Sequence, residues 1–172
     1  MLRSGEGLLM KEARALSTLR EAAEEFLTHK RIAVVGVSGS TDQPANLIYR
    51  TLRKREYEVF AVNPNAKEVE GDLCYYSLRS IPGGVDAALI ATPPASSEKV
   101  ARDCVEQGIS HVWMHRSFGE GSVSATAAEF CRGKGIKVIE GGCPMMFLPG
   151  GDIGHKCMRW MLGVTGRLPS RV

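Results

Sequence analysis

From Ile32 to Pro44 the chain reads I-A-V-V-G-V-S-G-S-T-D-Q-P. Gly36, Ser38, Gly39, Ser40 and Thr41 are small or hydroxyl-bearing, so backbone N–H groups there can approach a ligand closely. A helix opening at Pro44 would aim its positive end at the same place. A pyrophosphate suits that arrangement. A second apolar run, Tyr57 to Val62, ends in Asn63-Pro64-Asn65. The dinucleotide fingerprint needs glycines at 38 and 41, where Ser38 and Thr41 stand. It also needs an acid at the end of the second strand for the ribose hydroxyls, where Asn63 stands. An amide cannot accept both ribose hydrogen bonds as a carboxylate does. Lys67, just beyond, better serves an extra phosphate than a free ribose diol. An NAD(P)-binding oxidoreductase with a degenerate fingerprint is thus the alternative reading, and a phosphate-rich ligand of another kind the first.

The remaining reactive side chains point to little chemistry. Five cysteines (Cys74, Cys104, Cys131, Cys143, Cys157) are widely spaced, with no C-x-x-C pair, which implies reduced thiols and a cytoplasmic location. Cys143 follows the last expected strand, after two glycines and before Pro144, so it should lie on the rim where a bound thiol would meet it. His111 and His115 would share one face of a strand, but their spacing fits no closed zinc site. His155 reads as a packing or helix-end residue. G-V-S-G-S is not the G-x-S-x-G elbow of a hydrolase. Trp113 and Met114 read as core or pocket wall, and Met145-Met146-Phe147 as a packed cover over the sheet. Arg50, Arg53, Lys54 and Arg55 form a basic helix whose simplest reading is a solvated face.

Alternating elements must position these residues. Thr18 and Glu21 suggest a capping box opening a helix to about Thr28. Ile32–Val37 and Val85–Ala91 are near-continuous apolar runs, the pattern of strands buried on both faces. Between and after them the sequence implies a helix from Pro44 to about Arg55, a strand over Tyr57–Val62 and a short edge strand near Leu73–Tyr75. A helix capped at Ser96 or Ser97 follows, running to about Gln107. Then come a strand over His111–His115, a helix over Val123–Gly133, a strand over Ile136–Ile139 and a short helix around Lys156–Leu162. The fold class is α/β: a Rossmann-like, doubly wound, mostly parallel sheet of five to six strands with helices on both faces. Ligands of such sheets sit beyond the carboxyl ends of the strands. Residues 18–148 form this domain. Residues 1–17 are an extension, partly helical or loose, and 149–172 a helical extension packed on the same domain.

Composition agrees with one ordinary domain. The chain has 172 residues, 44% hydrophobic and 24% charged, with net charge +3. That mild charge suits an anionic small molecule and does not call for nucleic acid. No stretch approaches the ~20 apolar residues of a membrane span, and the first residues do not read as a signal peptide.

Taken in order, "IAVVGVSGS", "YEVFAVNPNAKEVEGDLCYYSLRSIP", "VDAALIATPP", "GISHVWMH" and "GIKVIEGGCPMMF" resemble the small stand-alone CoA-binding proteins. These are similar to the N-terminal domain of the succinyl-CoA synthetase alpha subunit. The resemblance implies coenzyme A as ligand, its phosphates against Gly36, Ser38, Gly39 and Ser40. It implies that Asn63, Pro64 and Lys67 border the adenosine phosphate end and Thr92 and Pro93 the middle. Trp113 and Cys143 complete the candidate contacts. The chain departs from the family at "WMHRSFGEGS", where many members read "WLQ" and then glycine; Arg116 there would reshape the pantetheine channel. A binder of CoA or acyl-CoA without catalysis of its own is the expectation; a CoA-binding subunit acting with a ligase partner in trans is a further alternative. No membrane or nucleic-acid partner is implied, and homo-oligomerisation is left open.

Overall fold

The computed structural model describes residues 18–40, 42–117 and 120–149. In chain order it contains α1 (18–26), β1 (Arg31–Val35), α2 (Pro44–Lys54), β2 (Glu58–Val62), β3 (Glu68–Val69), β4 (Asp72–Tyr75), β5 (Ala87–Ile90), α3 (Pro94–Glu106), β6 (His111–Met114), α4 (Ala125–Gly133) and β7 (Lys137–Glu140). The strands form one sheet in the order β3-β4-β2-β1-β5-β6-β7, parallel throughout except that β3 runs antiparallel to β4.

Alternation along each strand sorts side chains to two faces. Ile32 and Val34 of β1 join Ala87 and Leu89 of β5 in a core closed by Phe26 of α1 and Ile48 and Leu52 of α2. Ala33, Val35, Ala88 and Ile90 point the other way, into a core closed by Ala101 and Cys104 of α3 and Ala128 and Cys131 of α4. The result is three layers, the Rossmann-like arrangement expected from the sequence. Met145 and Met146 pack into the first core beside Trp113. No described helix is long and apolar enough to cross a membrane.

Four expectations need correction. The sheet has seven strands, not five to six, because β3 pairs with β4 across a turn at Glu70 and Gly71, both at positive φ (53° and 79°). A two-residue strand leaves too short a pattern to read. Secondly, α3 opens at Pro94, not at Ser96 or Ser97. Proline at a first helical position loses no intrahelical bond, and Ser97 is buried, its hydroxyl turned back to the carbonyls of Thr92 and Pro93. Thirdly, α1 is already under way at Thr18, so that residue is not an entry cap within the described helix. Fourthly, the basic residues of α2 are not all solvated. Asn46, Tyr49, Arg50 and Arg53 form one helical stripe and bind the β3–β4 hairpin. The Tyr49 hydroxyl donates to Asp72 (2.8 Å), Arg50 pairs with Glu70 (2.7 Å) and Arg53 with Asp72. The expectations for residues 1–17, Thr41, His155, Cys157 and Lys156–Leu162 lie outside the described residues.

Candidate ligand-binding groove

Strand order reverses at β1: β2 lies on one side and β5 on the other. The crevice beyond their carboxyl ends is therefore the expected ligand position for this topology. A groove of about 590 Å³ occupies it. Its near end is formed by Gly36 and Ser38 after β1 and by Thr92 and Pro93 after β5. Asn63 and Pro64 after β2 form its side.

Gly36 is required by close packing. Its φ is +101°, and a methyl group on it would stand 2.8 Å from the Ala91 carbonyl oxygen. The loop then turns over a buried side chain. Asn46, fully buried in the first turn of α2, accepts from the Ser38 backbone N–H (3.0 Å). It donates to the Ser38 carbonyl (2.7 Å) and to Glu70 Oε1 (2.7 Å). One amide thus holds both polar groups of a loop residue and ties the loop to the hairpin. Asn63 does similar work: it donates to the Val37 carbonyl (2.8 Å) and accepts from the Asn65 N–H (2.9 Å). Its amide joins the two loops.

The groove's electrostatics follow from its helices. Both α2 and α3 begin at its edge, with Gln43 and Pro93 in the cap positions. Neither helix has a side-chain cap or an acidic residue in its first turn. Positive helix ends with no acid in the first turn to offset them favour an anion there.

Gln43 also borders a smaller cleft, about 330 Å³, between α2 and the segments after β6 and β7. His115, Ser117 and Cys143 meet in it. Ser117 Oγ lies 3.0 Å from His115 Nε2. Burial pushes the His115 imidazole down to about 4 and the Cys143 thiol up to about 12. At neutral pH the cluster is therefore an uncharged imidazole beside an un-ionised thiol, a poor nucleophile.

Of the sequence-derived candidates, the structure brings Gly36, Ser38, Asn63, Pro64, Thr92 and Pro93 together in the groove. Gly39 and Ser40 sit exposed on the same loop, with open space around Gly39. Lys67 is exposed and does not line the groove; it lies two residues beyond Asn65, which does. Cys143 lines the smaller cleft. Trp113 corrects the expectation: it is fully buried, its indole N–H donates to the Gly141 carbonyl (2.9 Å), and it packs edge-on to Phe26, so it is a core residue. Sequence reasoning missed Asn46, Gln43, Tyr76, Lys99 and Asp103. A polar residue at the third position of a helix carries no signal of burial, and the other four lie on ordinary helix and loop surfaces.

A model of the family described as CoA binding domain matches residues 30–149. The chain belongs to the CoA-binding domain family. Its fold and the residues matched coincide, the family segment running from the start of β1 to the end of the described chain. Among relatives of this CoA-binding domain, the ADP-forming acetate–CoA ligase I of Archaeoglobus fulgidus is 29% identical over 126 residues. Those cover 70% of this chain but 18% of the ligase. The uncharacterized protein YneT of Bacillus subtilis is 28% identical over 123 residues, 72% of this chain and 88% of YneT. A hypothetical protein of Pyrococcus horikoshii with a solved structure superposes with a TM-score of 0.68 at 27% identity, covering 73% of this chain and 87% of the other. The CoA-binding domain thus aligns with less than a fifth of the ligase.

Proposed function

We propose that this domain binds CoA or an acyl-CoA and performs no chemistry on it alone. The observation that carries the reading is the pair of uncapped, acid-free helix ends at a groove beyond the strand-order reversal, in a chain of this family. The phosphates rest on the Ser38–Ser40 loop and the start of α2. The adenosine lies between the β2 loop and α3, with Lys67 reaching the ribose phosphate from outside. The other arm passes Gln43 into the smaller cleft, where the thiol end meets His115, Ser117 and Cys143. Three features support binding without catalysis. Among the described residues the groove lining contains no cysteine or histidine, the cleft thiol is un-ionised, and its neutral imidazole is a weak base. The NAD(P) reading is disfavoured because the Asn63 amide already serves the two loops.

Native mass spectrometry of protein purified without added ligand tests the proposal. A retained mass matching CoA or an acyl-CoA is expected; a retained nicotinamide dinucleotide would reverse the assignment. The alignment with one segment of a much longer ligase also supports a second reading, in which this domain presents CoA to a partner in trans. CoA-dependent ligase activity only on adding a partner subunit would support it.

A further inference from the structure

The turn between β3 and β4 carries an acid where turn chemistry favours something smaller. Its two central residues, Glu70 and Gly71, both stand at positive φ (53° and 79°), as a type I′ hairpin turn requires. Asn, Asp or Gly meets that requirement most easily at the first position. A longer side chain there is strained, and a contact elsewhere must offset the strain. The Glu70 side chain makes such contacts. It turns inward, 8% exposed, and its Oε1 accepts from Asn46 Nδ2 and from Arg50 Nη1, each at 2.7 Å. The backbone of the hairpin is held separately. Arg53 Nη1 donates to the Glu70 carbonyl (3.1 Å), and Tyr49 and Arg53 both bind Asp72.

A carboxylate only accepts hydrogen bonds. The Asn46 atom facing it is therefore the amino nitrogen, and the amide oxygen is left facing the Ser38 N–H (3.0 Å). The second amino hydrogen reaches the Ser38 carbonyl (2.7 Å). Turned over, the amide would set its oxygen against the carboxylate and its amino group against the Ser38 N–H. Arg50 balances the charge of Glu70, so the acid fixes the amide without leaving an uncompensated negative charge beside an anion site. We propose that Glu70 is a positioning residue of the phosphate loop: it fixes the Asn46 amide, and the amide fixes Ser38. The relay rests on the CoA reading and deepens it, because a residue outside the groove lining sets the loop that receives the phosphates. Such coupling runs both ways, so a ligand that steadies Ser38 also steadies the hairpin turn.

A double-mutant cycle separates the relay from a role in the hairpin alone. CoA affinity is measured calorimetrically on wild type, Glu70→Gly, Asn46→Ala and the double variant, with circular dichroism as the check on folding. Glycine suits the turn and removes the carboxylate. Glu70→Gly should weaken CoA about fivefold, the worth of one hydrogen bond. The double variant should bind like Asn46→Ala alone, about tenfold below wild type, because Glu70 then has no amide to hold. Glu70→Gln should bind within about twofold of wild type, since both contacts use one oxygen, which an amide retains. In the unliganded protein the Ser38 amide hydrogen, followed by NMR, should exchange about fivefold faster in Glu70→Gly, and at the wild-type rate in Glu70→Gln. Losses that add across the two sites, to about fiftyfold, would overturn the relay and leave the CoA reading intact. So would a Glu70→Gly protein with wild-type affinity or wild-type Ser38 exchange. A wild-type protein that binds no CoA would overturn that reading, and the Ser38 exchange rates would then decide the relay on their own.

Discussion

Replacing Asn46 by alanine should loosen the phosphate loop more than any change on the loop itself. Three hydrogen bonds vanish: two to the Ser38 backbone, at 3.0 and 2.7 Å, and one to the Glu70 carboxylate at 2.7 Å. A net bond between neutral groups contributes about 1 kcal/mol and one to a charged group about 1.5 kcal/mol or more. The sum is about 3.5 kcal/mol. For a chain of this size each kcal/mol moves the melting temperature by about 2–4 °C, so the expected fall is about 7–14 °C. The Ser38 groups would be free to turn toward water, and CoA affinity should fall about tenfold with them. Asn46→Asp should be no milder. It keeps the acceptor for the Ser38 N–H but sets a second carboxylate against Glu70, whose side chain is 8% exposed. Differential scanning fluorimetry and calorimetry read both effects. A melting temperature within about 2 °C of wild type for Asn46→Ala would refute the argument that this one amide holds the loop.

Gly36→Ala should destabilise the fold by at least about 2 kcal/mol, from its φ of +101° and the Ala91 carbonyl at 2.8 Å. Gly39→Val, with open space around it, should leave thermal stability nearly unchanged yet abolish CoA binding by filling the phosphates' place; normal affinity in that variant would remove the loop from the site. His115 is held neutral, its folded value near 4 against about 6.5 unfolded. Below pH 6.5 the unfolded chain takes up a proton that the native one refuses, so stability is full above 6.5 and falls toward pH 4, by about 3 kcal/mol in all. Urea titrations at pH 7 and 4.5 should show a smaller drop for His115→Gln than for wild type; equal drops would mean the imidazole is not protected. Cys143, 3% exposed with its thiol pushed up to about 12, should react with CoA disulfide at pH 7.5 as slowly as the buried Cys104, as peptide mapping would show. Rapid adduct formation at Cys143 would reveal an open, ionised thiol there.

What the sequence made legible follows from which physical signals are local. Ile32–Val35 and Ala87–Ile90 are apolar on both faces because helices cover both sides of the sheet, and that leaves continuous apolar runs. The loop after Val35 was readable because close backbone approach demands small residues there. Other features depend on partners distant in the chain. Arg50 and Arg53 look like solvent-facing residues until the β3–β4 hairpin folds against them. Asn46 looks like any helix surface residue until Ser38 and Glu70 surround it. Trp113 follows two strand residues after His111, and only the packing of Phe26 and the Gly141 carbonyl decides that it faces the core rather than the groove. Lys67, whose type and position suggested a phosphate contact, is exposed and stands outside the groove lining, where its backbone carbonyl accepts from Cys74 of β4.

The central claim is that the groove accepts CoA in preference to a nicotinamide dinucleotide. Isothermal titration of the purified protein with CoA and, separately, with NADH addresses it directly. Micromolar CoA binding, about −8 kcal/mol, is expected, with NADH at least about tenfold weaker because Asn63 has no carboxylate to offer its ribose. NADH binding tighter than CoA would contradict the account.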